Sequence, residues 1–120
     1  MNNRRPYWQD EDALMKSTAK VVQQLVAQIV EFAHPLRVIL FGSAARGDWK
    51  KGSDLDLLIV VPENTPRRRL AQELYCRLNG GGIPFDIIVA TPSLLNKHRN
   101  NPGLIYRCVL REGREVYAAA

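Results

Sequence analysis

The chain has little of what small proteins use as covalent or metal support. Its 120 residues include two cysteines, Cys76 and Cys108, with no Cys-x-x-Cys pair, and two histidines, His34 and His98, neither at ligand spacing from them. A disulfide framework and a zinc site are therefore excluded, and both cysteines are expected to be reduced and packed. No uninterrupted apolar run exceeds the five residues Leu57–Val61, against ~20 needed to span a bilayer. The opening Met1-Asn2-Asn3-Arg4-Arg5-Pro6 lacks the apolar stretch of a signal peptide. These absences predict a soluble, cytoplasmic protein with no membrane association. Repeats, low-complexity tracts and Gly/Ser linkers are missing too, so the expectation is a single domain over 1–120, with residues 1–11 as an N-terminal arm whose Tyr7 and Trp8 dock on it or touch another chain.

What is present supports a packed core. With 46% hydrophobic and 24% charged residues, a chain of this length buries about two-thirds of the surface its unfolded form exposes. The net charge is +5, and it is uneven. Residues 1–60 hold eight basic against seven acidic side chains, residues 61–120 nine against five. An anionic partner is compatible with that balance, which identifies none.

Hydrophobic period then divides the chain into elements. Apolar residues from Leu14 through Val22, Leu25, Ile29 and Ala33 recur every three or four positions, predicting a one-sided helix over about 12–33 that Pro35 ends. Leu36–Phe41 reads as a buried strand, and Ser43–Gly47 as a single helical turn with Ser43 as N-cap and Gly47 as its stop. Asp54–Val61 is a second strand, Thr65-Pro66 caps a helix to about Leu78, and Pro84–Ala90 is a third strand. Thr91-Pro92 opens another helix, Gly103–Arg111 a further one, and Arg114–Tyr117 returns as a short edge strand. The order predicts an α/β domain with helices packed on a small sheet. The unit Asp54–Ala90 should cross over right-handed, making its two strands parallel.

Side chains alternate along a strand, so Asp54 and Asp56 project from one face about 7 Å apart. Carboxylates are disfavoured in strands, and a pair beside Leu55, Leu57 and Leu58 calls for a cation against its mutual repulsion. Oxygen-only ligands suit Mg2+ or Mn2+. Asp86 is a third acid inside an apolar strand, where a lone carboxylate is costly; if the strands are neighbours, the three converge. Upstream, Gly42-Ser43 lies where a strand meets a helical turn, an arrangement that offers backbone N–H groups to a phosphate.

Phe41-Gly42-Ser43-Ala44-Ala45-Arg46-Gly47 followed by Ser53-Asp54-Leu55-Asp56-Leu57-Leu58-Ile59-Val60 resembles the Gly-Ser, ten residues, Asp-x-Asp pattern of the minimal nucleotidyltransferases of the DNA polymerase β superfamily. Asp86 stands where the third family carboxylate is expected, and Arg111–Tyr117 is similar to how many of these short proteins end. The resemblance implies a polymerase β-like fold with a small mixed sheet covered by helices. It makes Gly42 and Ser43 binders of a nucleoside triphosphate, Asp54 and Asp56 ligands of two Mg2+ ions, and Asp86 a ligand of the ion that activates the acceptor. It also implies an antitoxin of HEPN-domain ribonuclease toxins that transfers AMP from ATP to a hydroxyl of its partner protein.

The alternative is a non-catalytic antitoxin that neutralises its partner by binding; a nucleic-acid-binding domain ranks last. Arg46 lies in the motif but is read first as a solvated or packing residue. Arg67-Arg68-Arg69 and Lys50-Lys51 read first as solvated surface, and both histidines as structural.

Overall fold

The computed structural model describes residues 11–119 apart from Asp48, Lys51, Gly52 and Pro102, with side chains described from Thr18 onward. The readings of Tyr7, Trp8 and Lys51 lie outside the described residues.

Helix α1 (Glu11–Ala33) leads into strand β1 (Arg37–Phe41), the single turn α2 (Ser43–Arg46), β2 (Leu55–Val60), α3 (Arg67–Arg77), β3 (Phe85–Ala90), α4 (Pro92–His98), α5 (Ile105–Glu112) and β4 (Arg114–Ala118). This is the expected order. The four strands form one sheet in the order β3-β2-β1-β4. β2 and β3 are parallel, as the crossover through α3 requires, while β1 runs antiparallel to both β2 and β4.

The strand sequences place the core on both faces. Val38 and Leu40 of β1, Leu55, Leu57 and Ile59 of β2 and Ile87 and Val89 of β3 pack with Leu25 and Ile29 of α1 and Leu74 of α3. The alternate residues Ile39, Phe41, Leu58, Val60 and Ala90 pack with Leu95 of α4 and Val109 of α5. β2 is apolar on both faces because it is an inner strand under two helical layers. Arg77 of α3 lies over the Phe32 ring, 4.4 Å from its centroid. The Gln28 amide exchanges two hydrogen bonds with the backbone of Asn79. Both contacts fasten α1 to the end of α3.

Four local expectations change. β2 starts at Leu55, so Asp54 precedes the strand. Pro66, not Thr65, holds the N-cap position of α3; the Thr65 hydroxyl instead donates to the Pro62 carbonyl at 2.6 Å. Gly42, not Ser43, is the N-cap of α2. Cys76 and Cys108 are exposed rather than packed, since each sits on the outer side of its helix. Thr91 does cap α4, accepting from the Leu94 N–H, and the Glu63 carboxylate joins it by accepting from the Ser93 N–H and hydroxyl at 2.8 and 2.9 Å. Of the basic run, Arg67, Arg68 and Arg69 are exposed, and Arg69 pairs with Glu73 one turn on at 3.2 Å. His98 stacks on Tyr106.

Leu57 is fully buried, so Leu57→Ala should lower unfolding free energy by about 2 to 5 kcal/mol in a denaturant titration. The Ser93 backbone and hydroxyl donors hold the Glu63 carboxyl below its ordinary value of 4.5. Its contribution is present above pH 4.5 and is lost as pH falls through the depressed value. Glu63→Gln should therefore be less stable than wild type at neutral pH, with the difference in Tm closing on acidification below that point.

Candidate active site

Antiparallel β1 ends where β2 and β3 begin, so one end of the sheet collects the residues singled out in the sequence. Phe41 is registered opposite Asp56 across β1 and β2, and Asp56 opposite Asp86 across β2 and β3. Neighbouring strands lie about 4.8 Å apart, so the two carboxylates start from adjacent backbone positions. Asp54 stands just ahead of β2 on the side of Asp56. Asp54 and Asp86 are exposed and Asp56 is half-buried.

Gly42 brings the phosphate-binding candidate against these acids. Its φ of 75° is a left-handed conformation, and a Cβ there would collide with the Asp56 carboxylate. The backbone conformation calls for glycine, and a side chain there would also have to displace the Asp56 carboxylate. The turn that follows has no side-chain cap and closes with Gly47 in the left-handed conformation, so capping does not account for Ser43. Gly42, Ser43, Asp54, Asp56 and Asp86 therefore share one end of the sheet.

The charges there are unbalanced. Burial first, then the Asp86 and Asp54 carboxylates, push the Asp56 carboxyl above its usual value, and Arg46 pulls it back. Arg46 reaches this position from the last residue of α2 and also pairs with Glu112 at the end of α5, 3.6 Å away. From the sequence Arg46 is read first as a solvated or packing residue, whereas here its charge acts on Asp56. Its signal was the motif itself, whose one-turn helix ends against the acids.

The sequence profile described as the nucleotidyltransferase domain matches residues 20–107. A protein of Methanocaldococcus jannaschii named "putative protein adenylyltransferase" is 38% identical over 82 residues, 68% of this chain and 77% of that protein. A second protein of that organism with the same designation is 41% identical over 54 residues, 45% of this chain and 54% of the other. Among solved structures, a chain described as a putative nucleotidyltransferase from Sulfolobus solfataricus overlays with a TM-score of 0.53 at 19% identity, covering 98% of this chain and 92% of its own. The chain belongs to the nucleotidyltransferase domain family.

The fold is thus that of a nucleotidyltransferase, with its mixed sheet and covering helices. One side chain at the site was missed in the sequence. Tyr75 of α3 donates its hydroxyl to Asp86 and accepts the Ile87 N–H at 2.9 Å, while its ring stacks on Phe85 with centroids 6.0 Å apart. β3 is an edge strand, and the phenol caps its outward backbone there. Among the described residues no three ligand-type side chains are grouped closely enough to hold a metal ion as they stand. A concavity of about 980 Å3 between α1 and the β1–β4 side of the sheet includes none of Asp54, Asp56 and Asp86 in its lining. The acids instead occupy an open rim.

Gly42→Ala should destabilise the protein, and part of that loss should vanish in an Asp56→Ala background, where the collision is removed and only the backbone strain remains. A double-mutant cycle by denaturant unfolding should give a coupling of about 0.5 to 3 kcal/mol; strict additivity would mean that the two positions do not touch.

Proposed function

We propose that this nucleotidyltransferase moves a nucleoside monophosphate, AMP from ATP, onto a hydroxyl of a partner protein. The observation that carries the reading is the seating of Gly42 against Asp56, opposite Asp86 and next to Asp54. A backbone able to approach phosphate closely and a set of carboxylates able to activate an acceptor lie at one end of the neighbouring strands β1, β2 and β3. Adenylyl transfer to a protein is supported by the designation of the two archaeal relatives. A HEPN-domain toxin as the acceptor, with this chain as its antitoxin, rests on the resemblance of Phe41–Val60 to the minimal nucleotidyltransferases.

Mg2+ is the cofactor that fits this donor set. The acids offer oxygen alone, and burial together with the Asp86 and Asp54 charges raises the Asp56 carboxyl despite Arg46. Asp54, Asp56 and Asp86 would hold the ions, with Mn2+ as the alternative metal. Bound there, a divalent pair supplies acidity to the acceptor hydroxyl and charge neutralisation to the departing pyrophosphate. The chain's own residues do the rest. Gly42 admits the phosphates, Ser43 adds a hydroxyl to their cradle, Arg46 adds positive charge beside Asp56, and Asp86 faces the acceptor from the neighbouring strand.

Incubation with the partner and ATP labelled at the α-phosphate should label the partner, whereas γ-labelled ATP should not. Asp54→Asn and Asp56→Asn should each reduce transfer by roughly 10²-fold or more while the protein remains folded. Neutralisation of the partner with no α-label transferred would instead establish an antitoxin acting by occlusion. Full transfer by both variants would remove the acids from the chemistry.

A further inference from the structure

We infer that the layer formed by α4 and α5 carries a docking surface for the acceptor protein, where one large apolar side chain from an acidic segment of that partner is held. The inference rests on the nucleotidyl-transfer reading above and adds where the acceptor is grasped.

Between α4, α5, the start of β1 and the end of β2 lies a concavity of about 250 Å3. Its lining includes the buried Val60 and Leu95 and the exposed Leu36 and Leu110, an apolar floor with apolar walls that stay open to solvent. An apolar cavity of roughly 150 Å3 takes a benzene ring, so this one has room for a leucine, methionine or phenylalanine side chain. Arg37 and Arg99 belong to the same lining. Glu115 engages Arg37. Arg99, just past α4, has no acidic partner among the described residues, and neither has Lys97 of α4 nor Arg107 and Arg111 of α5. The one acid of the two helices, Glu112, faces Arg46 instead.

Uncompensated positive charge and exposed apolar side chains thus share one surface, and its complement is an acidic segment with an apolar anchor. Other occupants fit less well. The lining has no aromatic ring on which a base could stack. Its leucines surround a hollow, whereas lipid contacts are made by apolar side chains that project. A second copy would bring the same uncompensated charge to the same place. Asp56 and Val60 are four residues apart on β2, so they lie on the same face of the sheet, about 13 Å apart along the strand. A partner anchored in the concavity is therefore held on the face to which Asp56 belongs, while its anchor leaves the acids free.

The test reads binding to the whole protein by fluorescence anisotropy, with no nucleotide present. The probes are a short labelled peptide of glutamates and serines with one central leucine, and its counterpart with serine in place of the leucine. The leucine peptide should bind about tenfold more tightly, as burial of one such side chain predicts. Leu110→Asp should abolish that preference, and Arg99→Glu should weaken binding of both peptides, as added salt should. Thermal unfolding checks that the variants are folded, and Leu36→Ser reads the same wall should Leu110→Asp fail to fold. Equal binding of the two peptides, or a leucine preference kept by folded Leu110→Asp or Leu36→Ser, would overturn the inference and leave nucleotidyl transfer standing. So would tighter binding of a single-stranded oligonucleotide of equal charge or of phosphatidylglycerol vesicles, or a dimer that Leu110→Asp dissociates. Peptide binding as expected by a protein that passes no α-label to any partner would keep the docking surface and remove its part in transfer.

Discussion

The site depends on one close approach, the backbone of Gly42 against the carboxylate of Asp56. It is possible because β1 and β2 are antiparallel neighbours and because position 42 has no side chain. The charged residues gather around that contact. The parallel partner β3 brings Asp86 level with Asp56, α2 turns Arg46 back toward the acids, and α5 ends with Glu112 beside Arg46. No single element contains the site. It is made by the ends of strands whose middles are locked in the core, which gives its backbone a rigid support while its side chains stay open to large partners.

The electrostatics follow from that placement. A carboxyl held in a half-buried position among like charges is raised rather than lowered, and a single guanidinium does not reverse this. Such an arrangement costs the protein stability on its own. It is reasonable where binding a cation or a cationic group offsets the repulsion, and it has no evident structural purpose otherwise.

Element order and the parallel pairing of β2 with β3 were legible in the sequence, because the apolar period changes between helix and strand and because the crossover has a fixed hand. The placement of Gly42, Ser43, Asp54, Asp56 and Asp86 at one end of the sheet was legible as spacing within a motif plus one later strand, although among the described residues the three acids are not grouped as metal ligands. Ser43 was read as the N-cap from its general preference for that position, but the tight approach to Asp56 puts glycine there instead. Tyr75 was not legible. It neighbours Leu74 on a helix whose apolar face is already explained, and its hydroxyl gains significance only because β3 turns out to be an edge strand. The pairing of β1 with β4, across a register shift between Val38 and Ile39, also depends on tertiary packing that no local pattern encodes.

That last pairing governs the order in which the molecule can be completed. β1 sits between β2 and β4, and Arg37 is matched with Ala118. As the chain leaves the ribosome, β1 has one flank bare until β4 has emerged, and contacts so distant in sequence form slowly. Glu112 and Arg114 arrive in the same late segment, at the end of the sheet where the acids stand. A nascent chain can therefore assemble β1, β2, β3 and their intervening helices while the flank beside Arg46 is still open, so closing the sheet and finishing the surroundings of the acids are one event in biosynthesis.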